Sequence, residues 1–576
     1  MSSPSGCDAS DLRCGLTAWQ SNMRGIDLFL EMLADFGVRQ LFGNPGTSEL
    51  PLMDALVSFD RIQYILGLHE TAVMGMADGY AQASGKLAVI NLHVSCGVGN
   101  AMGQLYNAFR ENTPLLVTAG QQDRRLMFEE PILWGDLIGV VRPWTKMAVE
   151  VQRIADLPRA LQRAVQAALT PPTGPVFLSL PMDLQSELTA IEQVPRLQVP
   201  ANRWRPDPTT IAQAARLLSQ AERPVILAGS RIVQRDAVGQ LVSFAETCGA
   251  DVFTEPLSHQ GRLPFPCQHP LARNCLPMWA PEMRQALAGY DAIVAVGMDL
   301  LKQYVYHDAD GALPANVPIV QIDEDSRELN KNYPTAVAIW SDCGTALAEL
   351  TVEVDRLRTD MQRQAAIARR TARDAAAQLE RTTLAEQLDS IDNRVPVPAG
   401  KLMRIISQHL PSRTAIVETA VTTTQSILQR LGAIPTTDGY FAHRGWSLGW
   451  GLNAAIGVRL AWPDRPVLGI LGDGAALYGI QGLWTAAHYK IPVTWIVCNN
   501  REYRILKQGA ASLGLPNAQK HQFESLTLDT PPIDFVTLAQ SFGIEAQRPQ
   551  THAAIVDCLS QLETRDTPLL IEVAVE

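Results

Sequence analysis

Two short stretches of this chain could grip a charged group between them. Gly472-Asp473-Gly474 sets a carboxylate between two glycines, and Asn499-Asn500 supplies amide oxygens after an interval of twenty-four residues. Carboxylate and amide oxygens are hard ligands of the kind Mg²⁺ takes, and Mg²⁺ prefers substrate phosphates for its remaining positions. The glycines beside Asp473 let a diphosphate come close to the backbone. The elements that must position these groups are legible around them. Residues 467–471 form an apolar run that reads as a buried strand, residues 491–497 form a second, and residues 480–489 between them read as a helix. A right-handed crossover then brings both strand ends to one edge of a parallel sheet. Gly-Asp-Gly by itself is also a common turn. The asparagine pair and the two strands raise it to a candidate site.

A second group lies nearer the N-terminus. Glu70 ends the apolar run 64–68 and opens a helical stretch at 71–83. A carboxylate there suits the positive end of a helix dipole. His93 follows the strand at 88–92 and precedes a glycine-rich turn containing Gly97 and Gly99. Cys96 beside it reads as a small buried residue rather than a nucleophile.

Composition narrows the setting. A chain of 576 residues predicts several domains, and 47% apolar residues can build sizeable cores. A net charge of −11 and a pI near 5.5 argue against general binding to nucleic acid or anionic membranes. No apolar run is long enough to span a membrane. Residues 1–22 lack the basic start and apolar stretch of a signal peptide and read as a loose tail. Nine scattered cysteines without metal-ligand spacing read as buried thiols in a reducing compartment, so a cytoplasmic location is expected.

The fold class is α/β, with three consecutive open parallel-sheet domains at residues 23–190, 191–345 and 398–576. Residues 346–397, rich in Ala, Arg, Glu and Gln with mixed charge, read as a solvated helical linker. The middle domain has strands at 224–229, 291–297 and 319–323 that end in Gly or Asp, but no G-x-G-x-x-G, so it carries no dinucleotide fingerprint. The first and third domains share a layout that suggests related folds.

Taken together, several motifs resemble the thiamine-diphosphate (ThDP)-dependent 2-oxo acid decarboxylases, in particular the benzoylformate decarboxylase type. They are Gly43-Asn44-Pro45-Gly46-Thr47, Glu70-Thr71-Ala72 with Ala77-Asp78-Gly79-Tyr80-Ala81, Asn91-Leu92-His93 with Gly97-Val98-Gly99-Asn100, Thr118-Ala119-Gly120-Gln121-Gln122, and the segment 472–503. The resemblance covers nearly the whole chain after the tail. It implies pyrimidine-binding, middle and diphosphate-binding domains, with thiamine diphosphate and Mg²⁺ as cofactors. The Asp473 and Asn500 side chains and the Glu502 carbonyl match the family's metal ligands. Asn44, Pro45, Gly46, Gly472, Gly474, Ala475 and Tyr503 match its cofactor contacts. Leu448 stands at the wedge that bends the cofactor, and the Trp446 carbonyl at an acceptor for its amino group. Glu70 matches the glutamate whose hydrogen bond to the pyrimidine ring nitrogen helps remove the thiazolium proton. His93 matches a proton-relaying histidine. Thr47 takes the place of a carboxylate-binding serine, keeping the hydroxyl and adding a methyl.

The implied activity is non-oxidative decarboxylation of an aromatic or branched 2-oxo acid to an aldehyde, with carboligation to 2-hydroxy ketones on the side. The implied assembly is a homodimer or homotetramer with active sites at the subunit interface. The expected substrate pocket departs from the family. Counting from Gly297 puts Tyr304 at the family's second histidine, and His307 could replace it only if the loop shifts. The family's bulky aromatic falls on Gly509, beside Gln508, which implies a more open or more polar pocket. Arg444 replaces a small residue, either to hold an acidic or CoA-like group or to form a structural salt bridge. Three alternatives stay open: a carboligase or lyase of the acetolactate synthase or benzaldehyde lyase type, an enzyme of 2-hydroxyacyl-CoA or oxalyl-CoA thioesters, and a catalytically silent ThDP-binding protein. FAD in the middle domain is not excluded.

Overall fold

The computed structural model describes residues 16–18, 22–191, 193–195, 202–256, 260–302 and 311–576. The chain divides into two compact units, one of residues 1–65, 87–100 and 114–201, the other of residues 66–86, 101–113 and 202–576.

The first unit is built on a six-stranded sheet. Its strands are β1 (Gln40–Gly43), β2 (Gln63–Leu66), β3 (Ala88–Leu92), β4 (Leu115–Gln121), β5 (Ala148–Glu150) and β6 (Val176–Pro181), in the order β2-β1-β3-β4-β6-β5. β3, β4 and β6 are buried along their whole length, which is why they read as unbroken apolar runs rather than alternating ones. The helices Gly25–Asp35 and Leu157–Leu169 bury Phe29, Leu33, Leu161 and Val165 in one core with Leu41, Val89, Leu116 and Leu178.

The second unit holds two more six-stranded sheets. β7 (Pro224–Ala228), β8 (Asp251–Thr254), β9 (Ala272–Cys275), β10 (Ala292–Val296), β11 (Ile319–Asp323) and β12 (Val337–Trp340) are ordered β9-β8-β7-β10-β11-β12. β13 (Ala415–Thr419), β14 (Tyr440–Phe441), β15 (Val467–Gly472), β16 (Thr494–Asn499), β17 (Glu545–Gln547) and β18 (Leu569–Ala574) are ordered β14-β13-β15-β16-β18-β17. Numbered from its own first strand, this last sheet repeats the order of the first unit. The expected three parallel-sheet domains, and the kinship of the first with the third, are therefore borne out. A 30-residue helix, Asp360–Asp389, follows the middle sheet, closed at its start by a Thr359/Gln362 capping box.

Within the second unit the helix Glu70–Ser84 packs closely on the helix Trp450–Ala461. Gly457 permits the approach, because a Cβ there would lie 1.9 Å from the Met76 carbonyl oxygen. Buried Asp78 fixes the register by accepting from Trp450 Nε1 at 2.7 Å, Thr113 Oγ1 at 2.6 Å and Gln82 Nε2 at 3.0 Å.

Three local readings change. β16 begins at Thr494 rather than 491, because Pro492 has no N–H for the ladder. The glycine-rich stretch after His93 is no turn but the start of an 18-residue helix, Val94–Glu111, and Gly97 N–H already donates to the His93 carbonyl. Cys96 is exposed on its first turn, not buried. Among the described residues no helix is long and apolar enough to cross a membrane.

Candidate active site

In the second unit, parallel pairing sets the expected metal loop. β15 and β16 run side by side with Gly472 opposite Cys498, so Asp473 and the asparagine pair emerge at one sheet edge. Asp473 ties the two strand ends together, because its Oδ2 accepts the Arg501 N–H at 2.7 Å while Oδ1 accepts that of Gly474 at 2.8 Å. Asn500 Oδ1 accepts the Glu502 N–H at 3.0 Å. Asn499 serves the scaffold instead, bridging Arg501 N–H and the buried Glu572 carboxylate at 3.1 and 2.8 Å. The Glu502 side chain turns to Arg504 at 2.7 Å and Lys507 at 2.5 Å, which leaves its backbone carbonyl as the group to offer a metal.

The donor set suits Mg²⁺ on a diphosphate. Asp473 is 5% exposed, yet among the described residues only backbone N–H groups pair with it, and no basic side chain does. Burial pushes its carboxyl above the ordinary value, against the pull of those two N–H groups. A buried carboxylate so placed is stabilised by a bound cation. A Cβ on Gly472 would meet nothing nearer than 3.8 Å, so space lies open beyond the strand end. At Gly474, by contrast, a Cβ would press on the Tyr503 ring at 2.8 Å. Ala475 follows half-buried in the short helix Asp473–Leu477.

The loop expected to carry the wedge is held with similar precision. Gln104 Nε2 donates to the Leu448 carbonyl at 2.8 Å and to that of Ser447 at 3.4 Å. Trp446 has φ +56° and Gly449 φ +87°. A side chain at Gly449 would strike the Tyr478 backbone at 2.7 Å. Leu448 is left half-buried between these two turns. Glu70 is buried in the first turn of its helix, and Leu66 just before it is fixed by the Tyr489 hydroxyl at 3.0 Å and Thr485 Oγ1 at 2.9 Å.

Of the expected pocket residues, Gln508 lines a cavity of about 480 Å³ together with Ile505, Thr422, Trp279 and Arg430. Gly509 faces open space. Arg444 takes the structural of its two readings: its guanidinium lies 2.7 Å from Glu255 and 3.5 Å from Asp299, with all three side chains buried. Neighbouring His443 is buried too, and burial pushes its imidazole down to about 4. Tyr304 and His307 lie outside the described residues.

The middle sheet has its own crevice where the strand order reverses, between β7 and β10, the place where such sheets bind nucleotides. Arg231 fills it, paired with Asp323 at 2.7 Å and Asp299 at 3.1 Å. Although burial acts to raise it, the surrounding Arg444, Arg231, Lys302 and Arg110 hold the Asp299 carboxyl well below the usual range.

In the first unit the loop after β1 carries Asn44, Pro45, Gly46 and exposed Thr47, and it faces His93. The chain keeps Gly46 there because a Cβ would fall 1.8 Å from His93 Nδ1. The structure adds a residue the sequence reading missed. Glu49, fully buried, accepts the Gly46 and Gly120 N–H groups at 2.9 and 2.7 Å and the Ser48 hydroxyl at 2.8 Å. His93 Nδ1 lies 3.0 Å from Glu49 Oε2. With Glu49 as the acceptor of this contact, the proton between them sits on Nδ1 and Nε2 faces away from the pair. The available signal was an acidic residue just past a strand end and a glycine turn, but nothing in sequence paired it with a histidine 44 positions on.

Among the described residues no group of three or more His, Cys, Asp or Glu could hold a metal. The expected Mg²⁺ set differs in kind, with one carboxylate, one amide and one carbonyl.

Comparison with known proteins agrees in every segment. Residues 23–130 match the thiamine pyrophosphate enzyme N-terminal TPP binding domain, residues 211–350 the central domain, and residues 420–573 the C-terminal TPP binding domain. The chain is 34% identical over 547 residues to benzoylformate decarboxylase of Pseudomonas aeruginosa, covering 94% of this chain and 97% of that protein. It is 28% identical to the acetolactate synthase large subunit of Lactococcus lactis, covering 96% and 92%. The structure of a thiamine diphosphate-dependent 4-hydroxybenzoylformate decarboxylase from Rhodococcus jostii superposes with a TM-score of 0.81 at 29% identity, covering 96% of this chain and 99% of that one. With all three domains matched in order and a curated relative above 30% identity along nearly the whole length, this chain belongs to the thiamine-diphosphate-dependent enzyme family.

Proposed function

We propose that the protein is a carboxy-lyase that decarboxylates a 2-oxo acid to an aldehyde with thiamine diphosphate and Mg²⁺. The observation that carries the reading is the buried Asp473 carboxylate, met among the described residues only by backbone N–H groups beside the open end of β15. Asp473, Asn500 and the Glu502 carbonyl hold the metal, with Gly472, Gly474, Ala475 and Tyr503 around the diphosphate. Leu448 shapes the bend, and the Trp446 carbonyl orients the amino group. Thiamine diphosphate, when bound, would supply a carbon nucleophile and an electron sink for the pair left on the substrate carbon as carbon dioxide departs. Glu70 holds a proton at the pyrimidine ring nitrogen. Thr47 orients the substrate carboxylate with its hydroxyl, above Asn44, Pro45 and Gly46. His93 moves a proton through Nε2 while Glu49 fixes its tautomer.

The active unit is a homodimer or homotetramer, with Glu70 and the metal loop of each site drawn from different copies. An exposed apolar stretch in the first unit supports this: Phe128 is 100% exposed and Ile132 86%. A second copy covering them would remove this apolar surface from water. The similarity to acetolactate synthases and the open space at Gly509 favour coupling to a second carbonyl compound as a side activity. Gln508 and Gly509 belong to the pocket for aromatic or branched substrates, and a cytoplasmic location goes with this reading.

The test is a panel of 2-oxo acids with ThDP and Mg²⁺, read by mass spectrometry. Free aldehyde as the main product from an aromatic or branched acid is expected. Exclusive formation of coupled ketone reassigns the protein as a carboligase, and cofactor binding with no turnover on any acid removes the enzymatic reading.

A further inference from the structure

A second, larger cavity of about 620 Å³ lies in the same unit, and no residue of the metal loop lines it. Its walls come from β8 and β9, the helix Asp360–Asp389 and the short helix Ile427–Arg430. Four arginines face it against a single glutamate, in a chain whose net charge is −11. Two of the four are already engaged. Arg373 forks onto Glu380 at 2.8 and 2.9 Å, and Arg381 donates to the Gln268 carbonyl at 2.9 Å.

The other two keep donors in reserve. Arg273 reaches Glu380 and Asp251 only at 3.8 and 3.9 Å and stacks 5.9 Å from the Phe253 ring. Arg430 is exposed, and among the described residues its side chain forms no ion pair. Thr254, 6% exposed, lines the same space with a buried hydroxyl that has no hydrogen-bond partner among the described residues. That hydroxyl is itself enclosed, so the two arginines are the polar groups open to a ligand. Phe253, Phe265 and Leu384 supply an apolar wall. The volume is that of a small-molecule site, with an apolar body and a few convergent polar groups.

We propose that this cavity binds a small aromatic anion. Its carboxylate or phosphate meets the guanidinium forks of Arg273 and Arg430, while its ring lies against Phe253 and Phe265. The claim is separate from the reaction proposed above. Arg430 also lines the cavity of Gln508, but Arg273 lines only this one, so Arg273 discriminates between the two.

The test is calorimetric titration of the full chain, loaded with ThDP and Mg²⁺, with 3-phenylpropanoate, with phenyl phosphate and with uncharged 3-phenylpropanol. Saturable binding of an anion is expected, roughly tenfold weaker in Arg273→Gln and in Arg430→Gln and unchanged in Gln508→Ala. The alcohol should bind at least about tenfold more weakly. Tighter binding of phenyl phosphate identifies a phosphate ester as the natural class, and tighter binding of phenylpropanoate a carboxylic acid. Both arginines are partly exposed, so unchanged thermal midpoints are expected in the two variants. The proposal falls if neither anion saturates, if the alcohol binds equally well, or if affinity survives Arg273→Gln but not Gln508→Ala.

Discussion

The middle and third sheets each present a crevice at the carboxyl edge of parallel strands, and they treat it in opposite ways. In the middle sheet Arg231 enters from within the chain and pairs with Asp299 and Asp323, and Arg110 and Lys302 also meet Asp299, so the carboxylates are compensated inside the fold. In the third sheet Asp473 is also buried, but among the described residues only backbone N–H groups meet it, and Gly472 leaves room above. One edge is closed by a built-in cation. The other keeps an anion and a space. A strand order suited to nucleotides therefore does not make a ligand site, and charge balance at the edge decides.

Removing the internal cation should give the largest effect. Arg231→Met leaves two buried carboxylates short of a partner and should cost about 3–5 kcal/mol of stability. Chemical denaturation measures it, and ThDP affinity of the folded fraction should stay unchanged. If that affinity falls instead, the two crevices are not independent.

Next comes Asp473→Ala, which should weaken metal-dependent ThDP binding by at least about 100-fold, or about 2.7 kcal/mol, with little loss of stability. Titrating Mg²⁺ at fixed ThDP reads this directly. A fall in stability without a fall in affinity would return Asp473 to the scaffold.

Glu49→Gln probes the first unit. Losing the carboxylate that orders His93 should lower kcat by roughly tenfold or more, about 1.5–3 kcal/mol, with little change in KM. The pH profile of kcat should move as well, which a purely structural residue would not cause.

A smaller, pH-dependent effect is expected at Glu111. Burial pushes its carboxyl up to about 8 from an ordinary 4.5, although Arg444 opposes this. The folded chain then holds a proton that the unfolded chain has released. Stability contributed there falls as pH rises between those two values and is fully lost above about 8. Glu111→Gln should flatten that decline in thermal midpoints measured across the same window.

The smallest effect belongs to Gly509→Ala. The site is inside the helix Arg504–Ser512 with open space around it, so a methyl should add up to about 1 kcal/mol of stability. A shift in preference toward smaller substrates would place this helix face in the pocket.

Much of this was legible without coordinates. β3 and β15 were read from runs of buried apolar residues, and the Asp473 and Asn500 motifs from ligand types at strand ends. Those signals are local, since period, propensity and turn chemistry act over a few residues. The Glu49–His93 pair, the Arg231 plug and the Arg444–Glu255 bridge were not legible. Each joins residues 44 or more positions apart, and sequence says nothing about which buried charge will meet which. The order of residues determined the strands, the ligand types and the family. Tertiary packing alone decided which charges are cancelled inside and which are left for a ligand, because electrostatic pairing depends on distance in space and not along the chain.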